Sequence, residues 1–364
     1  ALRFGFGTVS LFAGGWVLRA LQGTPASLGA GPAEIMPVAR HSPNFRDGKF
    51  VNLEPPSETT GELQRALIRD LANAGGHGKP PRPIPLAEPP TAEIAPAAAA
   101  ATWFGHSSVL IEVDGYRVLA DPIWSERCSP SRAVGPQRMH EVPVPLEALP
   151  AVDAVVISHD HYDHLDIDTV IALARTQRAP FVVPLGIGAH LRQWGIPESR
   201  IVELDWNETH RIADLTLVCT PARHFSGRLF TRDTTLWASW VIAGPTNKAF
   251  FGGDTGYTKS FAEIGAEFGP FDLTLLPIGA YHPAFSDIHM NPEEAVRAHL
   301  DLAEADRSLM VPIHWATFRL APHRWGEPAD RLLSASQAEQ VRIAVPIPGG
   351  RVDPDSEFDP WWQM

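Results

Sequence analysis

The sequence predicts an α/β fold in which two β-sheets pack together with helices on their outer faces. Two observations support this prediction: short apolar segments rich in β-branched residues alternate with helical segments, and the first strands form a hairpin. The dipeptide Asp114-Gly115 separates strands predicted at 102–113 and 116–120, because both central positions of a type I′ turn require positive φ. The 35 Pro and 29 Gly among 364 residues argue against a helical bundle or a coiled coil.

The later elements alternate along the chain. Further strands are predicted at 153–158, 181–183, 201–204, 215–220, 236–243, 248–251, 273–276 and 308–313. Helices are predicted at 167–177, 187–194, 259–268, 292–304 and 329–339. Pro292 suits the first turn of its helix, with Asn291 as the N-cap residue.

The first hundred residues differ in character from the rest. Residues 4–18 form an apolar run, FGFGTVSLFAGGWVL, that is shorter than the roughly 20 residues needed to span a bilayer. We interpret residues 1–30 as an apolar anchor or a signal-like segment. Residues 31–101 are predicted to be an extended Pro/Ala-rich wrap with one helix at 60–73. The apolar run favours a membrane-associated protein, on either the cytoplasmic or the periplasmic side.

The overall charge excludes some functions. Lys and Arg number 30 against 42 Asp and Glu, which gives a net charge of −12 with neutral His. A nucleic-acid-binding protein would need a basic surface to neutralise phosphates, so this class is disfavoured. Two cysteines cannot form a disulfide scaffold or a Cys-rich zinc module. The unusual count is the 15 His, and their positions decide the functional interpretation.

Metal-binding side chains concentrate directly after the strand predicted at 153–158, in the segment SHDHYDHLD. His159 and His161, two apart in an extended segment, point to one side and can share an ion. Asp163 and His164 follow at the turn into the next helix, where they can reach a second ion. Imidazoles with a few carboxylates suit zinc, with manganese or iron as alternatives.

One loop cannot complete two coordination spheres, so further ligands are expected at the ends of other strands. His224, Asp254 and His314 each follow an apolar strand, which is where α/β sheets place their sites. Gly252-Gly253 before Asp254 would let the backbone approach closely.

These residues resemble the metal-binding motif of the metallo-β-lactamase-fold hydrolases, in the branch typified by N-acyl-phosphatidylethanolamine-hydrolysing phospholipase D and its bacterial relatives. The similar blocks include LADP at 119–122, SPSRAVGPQR at 129–138, ISHDHYDHLD at 157–166, ELDW at 203–206, GGDTGY at 252–257, PIGAY at 277–281 and IHWATF at 313–318. The resemblance covers roughly residues 102–320. It implies a four-layer αββα sandwich as the catalytic domain, at 102–364, after an extended Pro-rich N-terminal segment.

The resemblance also implies roles for individual residues. It places His159, His161 and His224 on one ion, and Asp163, His164 and His314 on the other, with Asp254 bridging the two. Asp121, at the end of a strand, would orient a ligand histidine. The implied cofactors are two divalent ions, with zinc favoured.

The implied activity is hydrolysis of a phosphodiester by attack of a metal-bridging hydroxide, of the phospholipase D type, on N-acyl-phosphatidylethanolamine or a related phospholipid. Two Zn²⁺ against two carboxylates and a hydroxide leave a charge of about +1, which suits a diester anion. Asp163, Asp254 and His289 are the predicted catalytic residues, with His289 as proton donor to the leaving alkoxide. A metal-dependent lactonase or other ester hydrolase is the alternative, because the same hydroxide can attack a carbonyl.

Candidate substrate contacts come from residues beside the motif blocks. They are Tyr162, Tyr257, Tyr281, Phe225 and His289, and core packing is an equal alternative for the three tyrosines. His106, in the first predicted strand, is interpreted as structural. The expected partners are a phospholipid or another small anionic phosphodiester and a membrane surface, with a homodimer left open and no nucleic acid.

Overall fold

Two mixed β-sheets stacked face to face form the centre of the protein, with helices on both outer faces. This confirms the α/β four-layer αββα arrangement predicted from the sequence. The computed structural model describes residues 20–58, 60–88, 95–304, 307–356 and 358–363. The apolar run at 4–18 lies outside the described residues. Among those that are described, no helix is long and apolar enough to cross a membrane.

The N-terminal segment contains more regular structure than the single helix predicted for it. Its elements are α1 (Thr24–Ser27), α2 (Pro32–Ala39), the hairpin β1 (Phe45–Arg46) and β2 (Lys49–Phe50), and α3 (Gly61–Asn73). The α3 helix matches the predicted one and has Thr60 as its N-cap residue. Ile35 and Phe50 are buried in the main hydrophobic core. The segment is therefore packed into the domain through these side chains.

The first large sheet has seven strands. They are β3 (Ala99–Gly105), β4 (Ser108–Val113), β5 (Tyr116–Ala120), β6 (Ala154–Val156), β7 (Phe181–Pro184), β8 (Ile201–Leu204) and β15 (Arg351–Val352), in the order β15-β3-β4-β5-β6-β7-β8. Pairing is antiparallel from β15 to β5 and parallel from β5 to β8. The β4–β5 turn is the predicted hairpin: Asp114 and Gly115 both have positive φ, at 47° and 91°.

The second sheet has six strands. They are β9 (Thr209–Ile212), β10 (Leu215–Thr220), β11 (Ser239–Ala243), β12 (Lys248–Phe251), β13 (Leu273–Pro277) and β14 (Leu309–Ile313), in the order β14-β13-β12-β11-β10-β9. The β12–β13–β14 part is parallel. Strands β9 and β15 were not predicted from the sequence.

The remaining helices cover the outer faces of the two sheets. They are α4 (Ile167–Thr176), α5 (Ile187–Gln193), α6 (Ser260–Phe268), α7 (Pro292–Leu302) and α8 (Glu327–Ala338). Side-chain alternation along β6 separates the layers: Val156 faces the core between the sheets, whereas Val155 packs with Leu173 of α4 and Leu191 of α5. As expected, Pro292 opens α7 behind Asn291, which forms a capping box with Glu294.

The strand predicted at 102–113 is wrong as a single element. The chain reverses at His106-Ser107, so β3 and β4 are separate antiparallel strands. Gly105 and His106 both have positive φ, at 105° and 53°. A Cβ atom at Gly105 would lie 2.6 Å from His140 and 2.9 Å from Thr317, so this turn needs glycine. The sequence did not predict this reversal, because apolar residues lie on both sides of the turn and the turn lacks a familiar two-residue hairpin signal.

Candidate metal centre

The motif loop connects the end of β6 to the start of α4. Its ends are fixed by local hydrogen bonds, because the Trp240 indole donates to the Ile157 carbonyl at 3.0 Å and Asp166 caps α4. Between them, the amides of His164 and Leu165 donate to the His161 carbonyl and form a tight turn. The loop therefore presents its imidazoles and Asp163 at the carboxyl edge of a parallel strand, as predicted.

Three further strand ends bring the remaining predicted ligands to this loop. His224 follows β10, Asp254 follows β12 and His314 directly follows β14. At Gly253, which has φ 57°, a Cβ atom would lie 2.5 Å from the Ser158 side chain. This close approach brings the carboxylate of Asp254 between the two sheets.

The first donor group consists of His159, His161 and His224. The Nδ1 atom of His161 lies 2.8 Å from Nε2 of His159 and 3.3 Å from Nε2 of His224. Their ligand atoms all lie within 4.8 Å of one another, which is the separation that a shared ion requires. The structure therefore brings together the three histidines assigned to one ion.

The second donor group contains three more of the seven predicted ligands, Asp163, His164 and His314. Oδ2 of Asp163 lies 3.5 Å from Nε2 of His164 and 3.5 Å from Nε2 of His314. His106 lies against this group, with its Nε2 atom 3.0 Å from the same oxygen of Asp163. The sequence did not indicate that His106 belongs here.

Asp254 lies between the two groups. Its Oδ2 atom is 3.0 Å from Nε2 of His314, 3.3 Å from Nε2 of His164 and 3.8 Å from Nε2 of His224. One carboxylate thus contacts rings from both groups, which is the geometry a bridging ligand needs.

Hydrogen bonds behind the ligands set which ring nitrogen faces the centre. Nδ1 of His164 lies 2.6 Å from Asp121, and Nδ1 of His224 lies 2.8 Å from the Ile288 carbonyl. Because a carboxylate and a carbonyl only accept, both Nδ1 atoms donate, and Nε2 is left to bind an ion. Asp121 also accepts from the Ser158 amide and hydroxyl. Asp121 therefore holds His164 as predicted.

The electrostatics of the centre are those of a cation site. Burial lowers the pKa of His159 and of His224 well below the usual range. Burial disfavours charge on Asp254 too, but the neighbouring His164 holds the pKa of that carboxyl well below its ordinary value. Burial also acts against protonation of His314, yet Asp254 raises the pKa of that ring to about 9. The two carboxylates therefore stay ionised, and they attract positive charge to the point where they converge.

Several buried polar atoms here have no hydrogen-bond partner among the described residues. They include Nε2 of His164, both ring nitrogens of His314 and Oδ1 of Asp254. Leaving such atoms unpaired in the interior is costly, whereas a cation would satisfy them together. The donor set, imidazoles with two carboxylates, fits divalent zinc, manganese or iron.

A groove of 780 Å³ opens beside the first donor group. Phe225 forms part of its wall, with its ring centroid 4.4 Å from that of His161. The Arg232 guanidinium lies 4.3 Å from the centroid of the Phe225 ring. The groove is also lined by residues of the N-terminal segment, among them Phe50 and Leu53. Phe225 thus lies between the first donor group and this groove.

The three predicted tyrosines lie in different surroundings. Tyr162 stays beside the motif loop, where the Arg228 guanidinium lies 4.1 Å from its ring centroid. The hydroxyl of Tyr257 donates to Asp301 of α7, and that of Tyr281 donates to Glu327 of α8. Each of these last two hydroxyls is bound to an outer helix, which favours the core-packing alternative for Tyr257 and Tyr281.

His289 lies at the edge of the centre. Its Nδ1 atom is 3.7 Å from Oδ2 of Asp254, and its ring centroid is 5.2 Å from that of His314. Burial lowers the pKa of His289 to about 4, so the ring is neutral near pH 7. A neutral imidazole carries one N–H group and can donate a hydrogen bond to an oxygen held over Asp254.

Asn52 contributes to the centre from the N-terminal segment, which the sequence did not indicate. Its side-chain amide donates to the His224 carbonyl at 2.8 Å, and its Oδ1 atom accepts from the His224 amide at 3.1 Å. The Trp237 indole also donates to this oxygen. A single side chain thus holds both backbone groups of a ligand residue. The apolar and Pro-rich surroundings of Asn52 carried no signal of this contact.

Replacing Asn52 by leucine is expected to weaken the ion bound by the first donor group. Leucine keeps the size of the side chain but leaves the amide and carbonyl of His224 without partners, at a cost of about 1–3 kcal/mol in unfolding free energy. Metal titration of the dialysed protein and urea unfolding measure the two effects. Asn44→Leu is the matched control, because Asn44 bonds Asp205 and no ligand residue. Equal metal affinity in the two variants would contradict the expectation.

A family model described as "Beta-lactamase superfamily domain" matches residues 116–315. The chain therefore belongs to the metallo-β-lactamase superfamily and is a metal-dependent hydrolase of that fold.

Within that superfamily, the chain is a homologue of the N-acyl-phosphatidylethanolamine-hydrolysing phospholipases D. It is 37% identical over 253 residues to N-acyl-phosphatidylethanolamine-hydrolysing phospholipase D 1 of Caenorhabditis elegans, covering 66% of this chain and 70% of that protein. An uncharacterized protein of Mycobacterium tuberculosis is 62% identical over 368 residues, covering 100% of this chain and 99% of that protein. Among solved structures, Igni18, a metallo hydrolase from Ignicoccus hospitalis, matches with a TM-score of 0.54 and 26% identity, covering 72% and 99% of the two chains.

Proposed function

We propose that the protein is a phosphodiesterase of the phospholipase D type that acts on N-acyl-phosphatidylethanolamine or a related phospholipid with two divalent ions, zinc being favoured. The observation that carries this proposal is the position of Asp254, whose carboxylate contacts imidazoles of both donor groups. The homologous enzyme of Caenorhabditis elegans supports the substrate class.

The residues that would hold the ions are those of the two donor groups. His159, His161 and His224 would bind one ion, and Asp163, His164 and His314 the other, with Asp254 shared. When bound, two divalent ions supply activation of water and neutralisation of charge on a phosphodiester. Because the ligands include only two carboxylates, the loaded centre is positively charged and attracts an anionic substrate.

The protein's own side chains orient the substrate in this proposal. His289 donates a hydrogen bond to the leaving oxygen, from its position 3.7 Å from Asp254. Phe225 forms a wall next to the first donor group and restricts where the diester can lie. Tyr162, beside the motif loop, is proposed as a second substrate contact. Since all the ligand imidazoles are buried or nearly so, bulk water is largely excluded from the reacting atoms.

The groove beside Phe225 supports a substrate with a polar headgroup and an apolar chain. It combines apolar residues of the N-terminal segment with charged side chains of both signs, which are Arg46, Lys49, Arg223 and Arg232 and the acidic Asp47, Glu54, Asp233 and Asp287. Leu229 and Phe230, in the loop before Arg232, are 58% and 83% exposed. We propose that this face meets a membrane surface, where the phospholipid enters the groove.

The test compares three substrate classes on the purified protein. Metal content is measured first, and turnover is then followed on N-acyl-phosphatidylethanolamine, a generic phosphodiester and a panel of lactones. Two ions per chain with diester turnover are expected, and a chelator should remove both. Turnover should return when Zn²⁺ is added back.

Three results of these measurements would contradict the proposal, and the first concerns the lactone panel. The same donor set can activate water toward a carbonyl, so lactone turnover without diester turnover would overturn the phosphodiesterase assignment. A metal content below one ion per chain would overturn the two-ion centre. Turnover of the generic diester but not of the phospholipid would overturn the lipid substrate alone.

A further inference from the structure

His106 lies behind the second donor group, at the turn between β3 and β4. Its Nε2 atom is 3.0 Å from Oδ2 of Asp163. The side chain is almost completely buried, at 1% exposure, and its Nδ1 atom has no hydrogen-bond partner among the described residues. A neutral ring with one bonded and one unbonded nitrogen carries its proton on the bonded one, because a carboxylate can only accept. His106 therefore donates to Asp163.

The backbone of His106 contacts a second predicted ligand. Its carbonyl accepts the amide of His314 at 2.9 Å and the Trp103 indole at 2.7 Å. The imidazole rings of His106 and His314 also pack together, with their centroids 4.1 Å apart. One residue thus holds the carboxylate of Asp163 through its side chain and the position of His314 through its backbone.

The turn itself is held rigid from behind. The amide of His106 donates to the Thr317 hydroxyl at 2.6 Å, and that hydroxyl lies 3.0 Å from Nε2 of His140. His140 is buried and lies against Gly105. Because Gly105 and His106 both have positive φ, the turn keeps this conformation only through these contacts, and they also fix the position of His106.

We propose that His106 is a positioning residue for the second ion: its ring fixes the orientation of Asp163, and its turn fixes His314. The contacts of His106 with ligands all lie in the second donor group, with none to His161 or His224 among the described contacts. Its loss should therefore act on one ion and leave the other in place. This inference rests on the two-ion centre proposed above but not on the substrate assigned to it.

Two substitutions separate the hydrogen bond from the packing of the ring. His106→Phe keeps an aromatic ring of similar size and removes the N–H donor, whereas His106→Gln keeps a donor at about the same distance from the backbone. The metal-free protein is titrated with Zn²⁺ against a competing chelator. For His106→Phe we expect the second ion to bind about 10–100-fold more weakly, with the first ion unchanged. For His106→Gln we expect binding of the second ion to recover most of this loss.

His299→Gln is the matched control, because His299 is a buried histidine that pairs with Thr274 in the outer layer. It should bind both ions as the wild type does. If His106→Phe binds both ions normally, or if it weakens both equally together with a lower unfolding temperature of the metal-free protein, the positioning role is overturned in favour of a structural one. A wild-type protein that binds a single ion would overturn the two-ion centre itself, and this inference with it.

Discussion

Replacing Asp254 by asparagine is expected to reduce turnover by about 10²–10³-fold or more, because one change alters both donor groups. The carboxylate lies 3.0 Å from His314 and 3.8 Å from His224, so its negative charge would serve both ions of the proposed centre. Asparagine keeps the shape but is neutral and a weaker ligand. Elemental analysis after dialysis should show less than two ions per chain, and steady-state kinetics should show the loss mainly in kcat.

The matched control for this prediction is Asp330→Asn. Asp330 also accepts hydrogen bonds from neighbouring side chains, Trp362 and Gln363, but it lies on α8 away from the centre. Its variant should keep both ions and full turnover. If Asp254→Asn retained two ions and wild-type kcat, the bridging role would be wrong, and the two donor groups would have to work independently.

Arg228→Ala is expected to lower the free energy of unfolding by about 3–5 kcal/mol, the largest effect on stability that we expect from a residue outside the donor groups. The guanidinium is buried and donates to the carbonyls of Asp160, Leu165 and Ser27. It joins the two ends of the motif loop to the N-terminal segment. Alanine leaves these carbonyls without donors and creates a cavity beside Tyr162.

Urea unfolding measures this effect, with Arg200→Ala as the comparison. Arg200 likewise donates to carbonyls, of Ala174 and Ala179, and lies over the ring of Phe181, but it is partly exposed. We expect a loss of only about 1 kcal/mol for that variant. Equal losses of unfolding free energy in the two variants would show that the burial of Arg228 does not increase its contribution to stability. Metal affinity should fall in Arg228→Ala but not in Arg200→Ala, since only Arg228 holds the motif loop.

The fold class and the clustering of the candidate metal ligands were accessible from the sequence because their signals are local. His159 and His161 stand two apart after an apolar strand, and Asp254 and His314 each end a strand of their own. Strand ends on one edge of a sheet must meet, so the chain positions alone indicated a common site. The start of α7 was also predictable from a local signal, because Asn291 as N-cap residue is followed by Pro292 at the first helical position.

The supporting residues could not be found in this way. His106 looked like part of a continuous strand, and only the reversal at Gly105 turns its ring toward Asp163. Asn52 lies in a Pro-rich stretch without periodicity, and it reaches His224 only through the folded N-terminal segment. For Tyr257 and Tyr281 the sequence left substrate contact and core packing as equal alternatives, because nearness to a motif in the sequence does not say which way a side chain points.

The contacts between Asn52 and His224 also bear on the order in which the protein is assembled. They join residues 172 positions apart, and the contact of His106 with Thr317 spans 211 positions. Loops of this length close slowly, because chain entropy is lost before the contacts that offset it are made. A chain emerging from the ribosome cannot complete the second donor group until β14 and the following His314 have been synthesised. Uptake of the second ion is therefore a late event in biogenesis, and the nascent chain passes most of its synthesis without a complete two-ion site.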